Sequence, residues 1–197
     1  MSSSASTAEG LKIKLFGRYP FGDVEIRDES LAPYISLKPI LTPWSGGRHE
    51  HRRFEKDSVN VVERLTNKLM RHGKVGGKKA HAINILKTSF RIIELEMEKN
   101  PIQVLVDAIQ NAAPSEDVTT ISYGGAVYHV SVDVSPQRRV DVALRHITDG
   151  VRRSVHANRL SLEESVAEEI MATSRNDSSS YAIKKRVELE RIAVTSR

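Results

Sequence analysis

The sequence predicts a mainly α-helical protein: six helices packed as a bundle-like domain, a two-stranded β-hairpin arm, and an irregular N-terminal extension. Three observations carry this reading. Apolar residues recur at intervals of three and four through most of residues 57–197, the spacing that gathers them on one helix face. One window, residues 118–134, instead reads VTTIS and VYHVSVDV around a Gly-Gly pair, with the β-branched and aromatic content of strands. Residues 11–56 keep neither period and are interrupted by Pro20, Pro33, Pro39 and Pro43.

The first ten residues, MSSSASTAEG, are polar and Ser-rich, so they are expected to be disordered and do not form a secretory signal. The rest of the extension, to residue 56, holds the only Trp, Trp44, and then Gly46, Gly47, Arg48, His49, His51, Arg52 and Arg53. That basic run either crosses an RNA backbone or is solvated linker. From Asp57, read as an N-cap, a first helix carries Val62, Leu65 and Leu69 inward and Arg64, Lys68 and Arg71 on its other face, ending at Gly73. After Gly76-Gly77 a second helix has the stripe Ile83, Leu86, Phe90, Ile93 and Met97, with Lys78, Lys79, Lys87 and Arg91 off it. Asn100-Pro101 opens a third helix, with Ile102, Leu105, Val106 and Ile109 inward, and Pro114 stops it.

The hairpin turns at Tyr123–Ala126. A lone two-stranded ribbon is marginal in water, so the arm is expected to lean on another surface. Ser135-Pro136 opens a fourth helix whose stripe of Val140, Leu144, Ile147 and Val151 leaves Arg138, Arg145 and Arg152 at seven-residue spacing, with Arg139 and Arg153 beside them. Ser161 and Glu164 form a capping box for a fifth helix bearing Leu162, Val166, Ile170 and Met171. Its acids, Glu163, Glu164, Glu168 and Glu169, would be repelled by phosphate and are expected to face protein or solvent. After Asn176–Ser180 a sixth helix begins with Lys184, Lys185 and Arg186 near its start. Cations there oppose the helix dipole, so they either meet an external anion or form an ordinary exposed cluster.

At 197 residues and 39% hydrophobic content, the chain has enough apolar material for one ordinary domain with an appended segment. Lys and Arg exceed Asp and Glu by 30 to 25, and the sequence pI is about 9.5. Position says more than the net charge. From Arg64 to Ile93, thirty residues contain eight Lys or Arg, two His and no acid, the footprint of a polyanion-binding face. The absence of Cys excludes disulfides, thiolate zinc sites and Cys nucleophiles and fits a reducing compartment. No apolar run approaches membrane-spanning length. A cytosolic or nuclear protein is expected.

Enzyme readings fail on spacing. Gly73 to Lys79 lacks the G-x-x-x-x-G-K-[ST] order of a phosphate-binding loop, puts Lys79 where a Mg²⁺-binding hydroxyl belongs, and joins helix to helix. His49-Glu50-His51 is too short for a helical zinc pair, and His72, His81, His129, His146 and His156 form no triad. No metal or cofactor is therefore expected.

Three blocks in order, RLTNKLMRHGKVGGKKAHAINILKTSF, VDVSPQRRVDVALRHITDGVRR and SSSYAIKKRVELERIA, resemble small-subunit ribosomal protein seven, the family numbered five in older eukaryotic naming. The likeness spans residues 57–197. Residues 11–56, with KLFGRY and LAPYISLKP, resemble the extension of its eukaryotic branch more loosely. The resemblance implies a protruding hairpin and a structural, non-enzymatic role: binding the head domain of the small-subunit rRNA, nucleating head assembly, and lining the exit-site tRNA and mRNA exit region. It also implies cytosolic ribosomes with nucleolar transit, and neighbouring ribosomal proteins as further partners.

By position, the implied RNA contacts are Arg64, Lys68, Arg71, Lys74, Lys78, Lys79, Lys87 and Arg91, then Arg138, Arg139, Arg145, Arg152 and Arg153, then Lys184, Lys185 and Arg186. Tyr123, Gly124, Gly125, Tyr128 and His129 mark the hairpin tip implied to lie near tRNA. This tip departs from the family's Arg-rich pattern, so its aromatic residues either stack on bases or fill cross-strand pairs. A helical DNA-binding or chromatin-associated protein and a protein-only assembly scaffold are the alternatives. Cations on at least three separate elements favour a broad RNA surface over a single recognition helix.

Overall fold

Side-chain caps mark where most of the helices begin. In the computed structural model, which describes residues 13–47, 49, 51–70, 75–156 and 158–196, Asn60 accepts from the Val62 N–H to open α1 (Val61–Leu69). Asn100 accepts from the Ile102 N–H at the head of α3 (Pro101–Ala112). Ser161 and Glu164 complete the capping box of α5 (Leu162–Ser174), and Ser180 accepts from the Ile183 N–H for α6 (Tyr181–Thr195). Between these run α2 (Lys79–Met97) and α4 (Pro136–Val155), the latter led by its N1 proline. The first helix therefore starts at Asn60 and not at Asp57. Asp57 lies in a 3-10 turn, Glu55–Ser58, with its carboxylate buried.

The predicted stripes are the core. Ile83, Leu86, Phe90 and Ile93 of α2, Ile102, Leu105, Val106 and Ile109 of α3, Val140, Leu144, Ile147 and Val151 of α4, and Val166 and Ile170 of α5 are all buried. Helix α5 packs on α2, α3 and α4, and Ser89 of α2 reaches across to donate to the Glu163 carbonyl at 2.8 Å. Gly150 lets α4 come close to its neighbours, since a Cβ there would stand 2.8 Å from a Glu169 oxygen and 3.0 Å from the Tyr181 Cβ.

Strands β1 (Glu116–Tyr123) and β2 (Ala126–Asp133) form one antiparallel pair closed by Gly124 and Gly125, whose φ values of 58° and 84° suit a tight primed turn. The surface that the arm leans on is α6, which packs against β1. Glu190 accepts from the Ser115 N–H at 3.1 Å, and the Ser196 carbonyl accepts from the Ser131 N–H at 3.4 Å.

The irregular segment ahead of α1 belongs to the same core. Leu15, Tyr19, Phe21, Leu31 and Ile35 are buried in it, and the rings of Phe16 and Tyr19 meet Phe90 edge-on with centroids 6.3 and 6.1 Å away. Having no ladder of its own, the segment satisfies its backbone partly through local turns such as Leu15 N–H to the Tyr19 carbonyl and partly through side chains of the helices. Gln103 accepts from the Glu25 N–H, Gln110 from those of Arg27 and Asp28, and Asn100 donates to the Pro20 carbonyl. Among the described residues no helix is long and apolar enough to cross a membrane.

Phe90 thus anchors both α2 and the extension. Phe90→Ala is expected to cost about 3–5 kcal/mol in urea unfolding and to expose residues 13–40 to protease before the helices melt. Loss of stability without early cleavage in the extension would show that the extension holds independently of this ring.

Candidate nucleic-acid interface

The basic residues divide by what they touch. Arg64 is only 4% exposed. Its guanidinium donates to Asp141 at 3.1 Å and to the Tyr34 carbonyl at 2.8 Å, and lies 3.7 Å from Asp57. It is a core cation and is withdrawn from any phosphate-binding face. Lys79 is held at 2.6 Å by buried Glu63, which also accepts from the N–H and hydroxyl of Ser45, and its ammonium lies 5.5 Å from the Trp44 ring centroid. Arg139 is tied to Asp28 at 3.3 Å, to Ser30 and to the Pro114 carbonyl. Arg152 donates to the Lys68 and Leu69 carbonyls, a favourable place for a cation at the end of α1. These four hold elements together.

The carboxylates record the same arrangement. Burial pushes Glu63 and Asp141 up, but the ammonium groups and other donors facing them outweigh burial and hold both below the ordinary range. Asp57 goes the other way. Burial raises it, and Arg64 and the nearby Gln137 amide oppose this only in part.

Other cations face outward. Lys78, Lys87, Arg91, Arg145, Arg153 and Lys184 are exposed, and Arg153 lies over the Tyr181 ring at 4.8 Å. Arg138 is exposed while paired with Asp117 at 3.0 Å. Lys185 pairs with Glu188, and Arg186 is half-buried beside Asn176. Both follow the α6 start by a full turn. Lys68 is half-buried, and Arg71 and Lys74 lie outside the described residues. Lys87 and Arg91 border, with Arg18, a hollow of about 300 Å³ that Phe16 and Tyr19 also line.

A second hollow, of about 400 Å³, brings Arg138 and Arg145 of α4 against Arg52, Arg53, Phe54 and Lys56. Lys56 is absent from the sequence-derived set. The Arg-rich approach to α1 is the available signal for this side of the groove, but its pairing with α4 depends on tertiary packing.

On the arm, the register pairs Ile121 with Tyr128 and Thr119 with Val130. Tyr123, Tyr128, Ile121, Val130 and Val132 therefore share one face, while His129 and Val127 share the other. Tyr123 is 81% exposed and Tyr128 56%. The three aromatic side chains of the tip are thus split between the two faces, and the two tyrosines belong to an exposed apolar stripe.

Residues 34–197 match the family model described as ribosomal protein S7p/S5e. The chain belongs to that family. It is accordingly a small-subunit ribosomal protein, a structural component that binds rRNA and is associated with the ribosome beside other ribosomal proteins. The match begins at Tyr34, the residue whose carbonyl receives the Arg64 guanidinium. The S7p/S5e unit of this chain therefore includes the last part of the irregular segment as well as the helices.

The two aspartates beside Arg64 have opposite linkage. Asp141, lowered from the ordinary 3.8, contributes stability above its unfolded value and loses it as pH falls through the folded one. Asp57, raised from 3.8, contributes stability below its unfolded value and loses it as pH rises through the folded one. Urea melts from neutral pH downward should show Asp141→Asn destabilising at neutral pH, with the cost fading below pH 3.8. Asp57→Asn should be the milder substitution at neutral pH and the costlier one in acid. Arg64→Ala should cost about 3–5 kcal/mol, as removing one partner of a buried ionic group does.

Proposed function

We propose that this chain binds the head domain of the small-subunit rRNA, nucleates assembly of that domain, and lies beside the exit-site tRNA and the mRNA exit region of cytosolic ribosomes, after transit through the nucleolus. The observation that carries this reading is the division among the cations. Several are engaged inside the fold, yet Lys78, Lys87, Arg91, Arg145, Arg153 and Lys184 remain exposed, spread over α2 with its approach, α4 and α6. Such a distribution suits a folded RNA whose phosphates approach from several directions and which is recognised by shape more than by base contacts. Phosphate neutralisation releases counterions, so affinity falls steeply with salt. Helix α5 supports the polarity of the surface: Glu168 faces solvent, Glu164 turns back to its own cap at Ser161, and Glu169 turns to the start of α6, where it accepts from Ser180 and the Ala182 N–H.

The arm is the part proposed to reach the exit-site tRNA and mRNA. Its tip, Tyr123, Gly124, Gly125 and Tyr128, offers exposed apolar rings and no Lys or Arg. It would act by stacking or ribose packing, with His129 on the reverse face.

Filter binding of the full chain to a small-subunit rRNA transcript across a salt series tests the phosphate face. Lys78→Gln, Lys87→Gln and Arg91→Gln together should weaken binding and lower the slope of log affinity against log salt by about 0.7–0.9 for each phosphate that is no longer neutralised, with helicity unchanged by circular dichroism. An unchanged slope would remove the α2 face from the footprint.

A further inference from the structure

Phe54 has a conformation and a position that the core does not account for. Its φ is 65°, a region that a bulky L-residue enters only at a cost. Phe54 is 56% exposed and is not among the residues packed on the hydrophobic core. The ring lines the basic groove instead, with the Arg53 guanidinium 5.4 Å from its centroid. Among the described residues the groove wall contains five cations, Arg52, Arg53, Lys56, Arg138 and Arg145, against one carboxylate, Asp141. That carboxylate is already engaged by Lys56 and Arg64, and exposed Arg138 pairs with Asp117, so the field of Arg52, Arg53 and Arg145 is not cancelled by it. Arg52 and Arg145 have no carboxylate partner among the described residues.

We propose that this groove takes one unpaired RNA nucleotide, its base stacked on Phe54 and its flanking phosphates held by Arg52, Arg138 and Arg145. The inference rests on the rRNA-binding reading and deepens it by naming a subsite and its ligand class. An aromatic ring beside guanidinium groups is the arrangement that single-stranded nucleic acid uses, because every base has a face to stack while its phosphates need cations. A paired base has both faces covered by its neighbours. The ring therefore selects an extruded or loop nucleotide over a helical one, a selectivity that phosphate contacts alone do not supply. The buried Arg64 cluster keeps the two walls in register: Asp141 on α4 receives both Arg64 and Lys56, so the segment bearing Phe54 is tied to the helix bearing Arg138 and Arg145.

The test uses the full chain with three probes: a short oligoadenylate carrying one 2-aminopurine, the same strand paired with oligouridylate, and the small-subunit rRNA transcript. The parent should quench 2-aminopurine in the single strand and not in the duplex. Phe54→Leu, which keeps apolar bulk without a ring, should abolish the quench and weaken single-strand binding about tenfold. It should leave duplex affinity and the salt slope unchanged, since no charge is altered. Arg145→Gln should retain the quench while lowering the slope by about 0.7. Equal single-strand binding by Phe54→Leu, equal losses on single strand and duplex, or no quench by the parent would each overturn the nucleotide subsite. Failure of the parent to bind the rRNA transcript would instead overturn the broader reading on which the subsite rests.

Discussion

The Arg64 guanidinium is the constraint on which the basic surface depends. It is buried between Asp57, Asp141 and the Tyr34 carbonyl, so one cation joins the irregular N-terminal segment, the turn before α1, and α4. A buried charge is tolerated only when its surroundings return what water gave it. Here Asp141 does so through hydrogen bonds from both Arg64 and Lys56, while Asp57 meets the same guanidinium only at 3.7 Å. The asymmetry explains why the two carboxylates shift in opposite directions. It also fixes the distance between the Arg52–Lys56 stretch and α4, and hence the groove between them.

The same dependence on partners runs through the extension. A segment with only turns and one short 3-10 helix, Ala32–Tyr34, leaves backbone groups to pair elsewhere, and it does so with Asn100 at the cap of α3 and with Gln103 and Gln110 along that helix. Its apolar side chains complete the core over Phe90. Ionic ties add to these: Arg18 to Glu94, Arg27 to Asp107, Arg139 to Asp28, and Lys79 to Glu63 beside Ser45. Cations in a basic protein are therefore of two kinds, separated by their partners and not by burial alone: Arg64 and Arg139 hold elements together from within, and exposed Arg18 and Arg27 do so at the surface. The arm follows another rule. Its base is supported by α6, whereas its tip presents an apolar stripe to solvent, a surface with no internal use.

The helical elements are readable residue by residue. Stripes such as Ile83–Leu86–Phe90–Ile93 and caps such as Asn100 and Ser161 act within one or two turns, so the sequence contains both members of each interaction. The hairpin is readable for the same reason, since its turn chemistry and its alternation are local. Asp57 has the residue type of a cap without the role, because a helix start depends on the actual chain path. Asn60, three residues later, occupies the position from which a side-chain oxygen reaches the Val62 N–H.

The candidate site is legible in sequence only as a set of charges. Sequence by itself determined the composition that makes an RNA-binding surface possible: six amphipathic helices, a β-hairpin, and an acid-free window between Arg64 and Ile93. Tertiary structure decided which of those cations are available. Arg64 meets Asp141 across 77 residues and Arg139 meets Asp28 across 111, and no local pattern announces such a pairing. The physical reason is that a charge's role depends on its distance from other charges and from water. Both are set by how the helices pack, and side-chain identity alone specifies neither.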